Sequence, residues 1–220
     1  DAKWSNGDPV TAEDFVYSMR RLTDPATASP YSSYLADVGV VNAQEVMDGK
    51  AKPDTLGVKA IDAKTLEITL KEPAPFFPDT LIHSSVKPVH KATVEKHGDK
   101  WTQPENFVGN GAYLPKSWTV NDRIVLERNP QYYDDANTKI NRVTFLAITQ
   151  ATTDMDRFKA GEVDVTYNDV PNQQFKQIKA EMGDQLKVSP FLCTYYYEFN
   201  HTKAPFNNAK VRKALALTFD

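Results

Sequence analysis

Residues 193–220, CTYYYEFNHTKAPFNNAKVRKALALTFD, constrain the fold more than any other stretch of the chain. Tyr195, Tyr196, Tyr197 and Phe199 set large flat side chains on nearly consecutive positions, closing with Asn200, a pattern that favours an extended strand. His201, Thr202 and Lys203 break it. Pro205, Phe206, Asn207 and Asn208 then lead into a helix that Asn207 or Asn208 caps, with Val211, Leu215 and Phe219 on one apolar face. A strand followed at once by an amphipathic helix asks for an α/β arrangement, in which each covers the other.

The rest of the chain alternates in the same way. Trp4, Ser5, Asn6, Gly7 and Asp8 form a turn, and Thr11 caps a helix with Asp14 at the position that completes a capping box. Ala12, Phe15, Met19 and Leu22 recur at helical spacing, while Arg20 and Arg21 face water. A loop covers 24–34, in which Tyr31 follows Pro30 on a restricted backbone. A short helix at 42–47 closes at Gly49, and strands at 57–60 and 66–70 flank a turn at Asp62, Ala63 and Lys64. Pro73, Pro75 and Pro78 interrupt the chain before a helix at 91–97. Strands follow from 109, with a hairpin at 118–121 and 123–128, and the apolar run Ile124, Val125 and Leu126 predicts burial on both faces. Residues 140–148, 152–160 and 163–167 read as strand, helix and strand, hence as parallel strands joined by a right-handed crossover. Another helix starts at Pro171 and Asn172, buries Phe175, Ile178 and Met182, and stops at Gly183.

Composition excludes several function classes. Lys and Arg number 26 against 29 Asp and Glu, a net charge of −3, so no basic excess tracks a nucleic-acid backbone. No apolar run is long enough to insert into a membrane. His83, His90, His97 and His201 do not cluster at metal-ligand spacing, and the single cysteine, Cys193, makes neither a metal site nor an internal disulfide. Ser5, Ser84 and Ser85 lack a nucleophile-elbow context, and no glycine-rich loop cradles phosphate. The adjacent acids Asp134 and Asp135 read as solvated, so nothing supports a hydrolase with two carboxylates across a cleft, and no cofactor is called for.

What remains is a set of polar aromatics, amides and one acid at predicted strand ends: Tyr31, Tyr167, Asn168, Phe191, Tyr196 and Glu198. Open α/β sheets bind ligands at such ends. Aromatic faces offer area without strict shape demands, and amides pair with a ligand's backbone, so the set suits a wide, wet pocket for an extended peptide.

Three strings carry a resemblance: WSNGDPVTAEDFVYS at 4–18, NGAY with LERNPQYYD at 110–134, and the spaced pattern YYxxFNxxxxPFxxxxVRxALxxxxD that ends at Asp220. Together they closely resemble the cluster-five solute-binding proteins of ABC importers, those for oligopeptides above all. The resemblance implies a mixed-sheet α/β fragment of a two-lobed, type II-like periplasmic-binding-protein fold. Residues 1–90 would form an accessory domain, incomplete at its start, 91–192 part of the first ligand-binding lobe, and 193–220 the beginning of the second. It implies no enzyme activity. The complete protein would be a periplasmic monomer that captures oligopeptides by hinge closure and delivers them to an inner-membrane ABC permease. It adds Cys193 to the ligand-side residues and implies a disulfide from it to a cysteine beyond residue 220. It favours Tyr31, Asn168 and Tyr196 most among the candidates, whereas Phe191 stands where relatives often carry tyrosine. The family also takes dipeptides, murein tripeptide, sugars and metal chelates, and fold alone does not choose among them.

Overall fold

Thr11 ends the opening turn, and helix α1 runs over Ala12–Thr23. The Thr11 N–H donates to Asp14 Oδ2 at 2.8 Å, closing the predicted box, and the Trp4 indole N–H donates to the same oxygen at 3.3 Å. The turn and the helix start are thus one hydrogen-bonded piece. The structure, a computed structural model, describes residues 2–190 and 193–218. The chain forms two compact units, Asp1–Ile148 and Thr149–Asp220.

In the first unit α1 is followed by the short helices α2, Tyr34–Asp37, and α3, Ala43–Met47, then by strands β1, Val58–Asp62, and β2, Thr65–Ile68. These strands pair antiparallel, Val58 opposite Ile68. The backbone at 39–41 adds to the same hairpin through Val41 N–H to Thr69 O at 3.0 Å and Lys71 N–H to Gly39 O at 2.8 Å. Val16, Met19 and Leu22 of α1 pack with Leu35, Val40, Ala43, Leu56 and Val58 into one apolar core. Phe77, from helix α4, Phe77–Thr80, closes that core. On α1 it is Val16 that is buried while Phe15 is only half-buried, a shift of one position on the helix face. Arg20 and Arg21 are half-buried too, and the Arg21 guanidinium lies 5.9 Å from the centre of the Trp101 ring, so its aliphatic stem covers apolar surface.

Helix α5 occupies Lys91–His97, as the sequence predicts. Strands β3, Tyr113–Thr119, β4, Arg123–Arg128, and β5, Arg142–Leu146, form an antiparallel sheet in the order β3-β4-β5. Ile124, Val125 and Leu126 are half-buried, in keeping with a central strand covered in part on both faces. The turn at Asn129 is held from within: its buried amide donates to Gly111 O at 2.8 Å and accepts from the Gln131 N–H at 3.0 Å. Several bonds join the early and later residues of this unit. Ser5 N–H donates to Gly109 O at 2.8 Å, Val89 N–H to Ser18 Oγ at 2.8 Å, and His90 Nε2 lies 3.2 Å from Asp8 Oδ2.

The second unit carries helices α6, Ala151–Lys159, α7, Phe175–Met182, and α8, Ala209–Ala216. Lys159 Nζ donates to Glu181 Oε2 at 2.8 Å and ties α6 to α7, and this bond, with the Gln177 amide, holds the Glu181 carboxyl below its ordinary value. Ile178 is the buried residue of α7, with Phe175 and Met182 half-buried beside it.

Three expectations are corrected here. Residues 163–167 do not form a strand, so the predicted parallel β-α-β unit is absent among the described residues, and β5 pairs antiparallel with β4. Val165 and Tyr167 are exposed, and the N–H of Tyr167 goes to a side chain rather than to a ladder. Residues 193–200 likewise hold no regular secondary structure, and Tyr195, Tyr196 and Tyr197 are exposed. A strand is stabilised by its neighbour, and high β-propensity alone does not supply one. Finally, α8 is capped by Asn208, whose side chain accepts from the Lys210 N–H at 2.9 Å, but Val211 is only half-buried and Leu215 is exposed. Phe219 lies outside the described residues.

Candidate ligand-binding site

In the first unit Tyr31 sits in a turn fixed by Ser32 N–H to Ser29 O at 3.1 Å and Tyr34 N–H to Tyr31 O at 3.0 Å. The residue is 51% exposed, and its ring meets the His83 ring edge-on with centroids 4.9 Å apart. His83 stacks on Tyr34 at 4.4 Å, and Tyr34 donates its hydroxyl to Thr80 O at 2.7 Å. His83 Nδ1 accepts from the Ser85 N–H at 3.2 Å and stands 2.8 Å from Ser85 Oγ, which fixes the ring plane. Three rings in series therefore hold Tyr31 at the wall of an open cleft of about 340 Å³ lined also by Arg21, Ser29, Ser85 and Lys87. Tyr34 and His83 were not singled out in the sequence as site residues. The signal for them is spatial, because 80–85 meets 31–34 only in the folded unit.

In the second unit Tyr167 and Asn168 are brought together by Asp154, from the first turn of α6. Its carboxylate Oδ2 accepts from Tyr167 N–H at 3.1 Å, Asn168 N–H at 3.1 Å and Asn168 Nδ2 at 3.0 Å. Asp154 is 4% exposed, so these N–H groups replace the water that a carboxylate would otherwise hold. Sequence reading passed over Asp154 because an acid in the first turn of a helix already has a sufficient reason in the helix dipole.

Cys193, Tyr196 and Glu198 lie on the exposed 193–200 segment, and Cys193 is a free thiol. Tyr195 and Tyr197 flank Tyr196 and meet each other edge-on at 5.7 Å. Phe191 lies outside the described residues. Among the described residues no three His, Cys, Asp or Glu side chains gather to hold a metal ion, and no helix is long and apolar enough to cross a membrane. Exposed aromatic side chains stand at Tyr31 in the first unit and at Tyr167, Tyr195, Tyr196 and Tyr197 in the second.

The family described as bacterial extracellular solute-binding proteins, family 5, middle region, matches residues 1–220. The chain belongs to this family. Among the relatives of this family 5 chain, the periplasmic oligopeptide-binding protein OppA of Salmonella typhimurium is 56% identical over 220 residues, which is 100% of this chain and 40% of that protein. The periplasmic murein peptide-binding protein MppA of Escherichia coli is 44% identical over the same length, 41% of that protein. A crystal structure of Haemophilus influenzae OppA in complex with RPPGFSPFR superposes with a TM-score of 0.94 at 49% identity, covering 100% of this chain and 43% of that one. The fold is thus that of a mixed α/β portion of the periplasmic binding proteins. The chain spans about 40% of the length of these curated relatives.

Proposed function

We propose that this chain is part of a periplasmic solute-binding protein that captures oligopeptides and passes them to an inner-membrane ABC permease. The observation that carries the reading is 56% identity, over the full 220 residues, to a periplasmic oligopeptide-binding protein. Residues 1–90 belong in this reading to an accessory domain, 91–192 to the first lobe and 193–220 to the second. Tyr31, Tyr167, Asn168, Phe191, Cys193, Tyr196 and Glu198 face the ligand, and the complete protein works as a monomer without covalent chemistry. Cys193 pairs with a cysteine outside this chain. The exposed rings of Tyr31, Tyr167 and Tyr196 support this assignment, because aromatic side chains give contact area with little ordering cost.

A second reading, capture of murein tripeptide, is favoured by the 44% identity to MppA and by a TM-score of 0.94 to its Escherichia coli structure. The deciding experiment incubates the complete protein with a mixture of peptides and murein fragments and identifies by mass spectrometry what co-elutes. Intact oligopeptides of varied sequence are expected. Murein tripeptide alone would select the second reading, and cleaved products would replace both with a hydrolase.

A further inference from the structure

Arg21 stands in the last turn of α1, where the helix dipole favours a cation. The dipole explains that charge, but Lys87 comes to the same open cleft of about 340 Å³ from a different segment, and no acidic side chain lines it. Among the described residues neither cation forms an ion pair. The Arg21 guanidinium lies over the Trp101 ring and makes no hydrogen bond among the described residues, so its in-plane N–H donors are unspent. Lys87 is exposed, gives one bond from Nζ to Leu81 O at 3.3 Å, and keeps its other N–H groups.

The 27–31 turn brings hydroxyls to the same cleft. Thr27 Oγ1 has no partner among the described residues, and Ser29 Oγ accepts from the Tyr31 N–H at 3.2 Å, so both hydroxyl hydrogens remain to be donated. The turn is held in place. Asp24 Oδ1 accepts from the Ala26 N–H at 2.9 Å, and Ala28 takes a φ of +49°, a left-handed conformation that a non-glycine residue adopts only where its surroundings require it.

We propose that this cleft binds a carboxylate through Arg21 and Lys87. A planar carboxylate takes two parallel N–H bonds from a guanidinium, and the ammonium and hydroxyls serve its remaining lone pairs. The cleft lies at the small end of the roughly 300–1,000 Å³ of small-molecule sites, so the occupant is a small organic acid or one acidic side chain of a peptide. Tyr31, which the proposed function sets against the ligand, lines the same cleft. The peptide source therefore rests on that reading, and the free acid does not.

The test uses the complete protein in phosphate-free buffer and follows binding by calorimetry. One arm compares glutarate with glutaramide, which has the same skeleton without the charge. The other compares alanine tripeptides carrying a single Glu, at each position in turn, with the matching Gln peptides. Inorganic phosphate is titrated separately. At least one acidic probe is expected to bind about tenfold more tightly than its neutral counterpart, through charge-assisted bonds. That ratio shrinks about threefold in Lys87→Gln, the usual worth of an exposed charge, and disappears in Arg21→Gln. Arg21→Lys keeps the charge without the planar fork and restores only part of it. Should the Arg21 variants fail to fold, the exposed Lys87 carries the comparison. A preference for glutarate alone assigns the cleft to free acids, and a preference for a Glu peptide alone assigns it to a peptide side chain. Equal binding of acidic and neutral probes in both arms, a preference that survives unchanged in the variants, or phosphate bound more tightly than any acidic probe would overturn the proposal while the peptide-binding reading stands. A wild-type protein that binds no tripeptide would overturn that reading and leave the glutarate arm to decide the cleft.

Discussion

Gly57 and Val41 approach too closely for a side chain at position 57: a β-carbon there would lie 2.9 Å from Val41 Cβ and 2.9 Å from Thr69 O. The contact arises because the 39–41 backbone lies along the β1–β2 hairpin, with Gly57 N–H bonded to Val41 O at 2.9 Å and Thr69 N–H to Gly57 O at 2.8 Å. Two of the crowding atoms are backbone or sit directly on it, so relief requires moving the sheet.

Gly57→Ala is therefore expected to destabilise the first unit by about 1–3 kcal/mol, the usual range for overpacking. Urea unfolding followed by circular dichroism measures it. An unchanged midpoint would mean that the 39–41 segment yields freely.

Asp14 receives the Trp4 indole, the Thr11 N–H and the Thr11 hydroxyl on one oxygen. Asp14→Ala removes the acceptor half of the capping box and leaves a buried indole N–H unpaired, at an expected cost of about 1–3 kcal/mol. Tryptophan emission should shift to the red as Trp4, buried in the native turn, gains water. Wild-type stability in Asp14→Ala would show that the turn is held by packing alone.

Arg128 donates from Nη2 to Asp135 Oδ2 at 2.8 Å and from Nε to Oδ1, and this pairing holds the Asp135 carboxyl below its ordinary 3.8. A depressed folded value means that the ionised form favours the native state. The contribution is fully present above the unfolded value and is lost as pH falls through the folded one. Asp135→Asn should lower the unfolding midpoint near neutral pH, and its gap to the wild type should close below about pH 4. Salt should narrow the neutral gap, because the pair is reached by solvent. A gap that persists unchanged into strong acid would point to lost packing instead of lost charge.

Cys193 is exposed and has no disulfide partner among the described residues. In the complete protein, unfolded without reductant, we expect it not to react with a thiol reagent until a reductant is added, because the proposed function pairs it with a cysteine outside residues 1–220. Immediate labelling of Cys193 would remove the disulfide from the proposed function.

Local chemistry made much of this chain legible in advance. The Thr11–Asp14 box starts α1, Gly49 follows α3, α5 occupies 91–97, and the Asp62 turn joins β1 to β2, each dictated by residues close together in sequence. The family strings at 4–18, 110–134 and 193–220 were legible for the same reason, since a matched string needs no folded context. What sequence could not determine was pairing and burial. Residues 163–167 and 195–200 have strand composition but no strand, because the stabilising ladder depends on a neighbour that no local property specifies. The apolar face of α8 is patterned for a core and meets none among the described residues. Asp154 reads as an ordinary helix-start acid until the fold turns it onto Tyr167 and Asn168, and His83 is one of four scattered histidines until packing stacks it between Tyr31 and Tyr34. Short-range hydrogen bonds and backbone preferences are written in consecutive residues, whereas the contacts that orient a site join residues distant in sequence, and only the tertiary structure decides which of them meet.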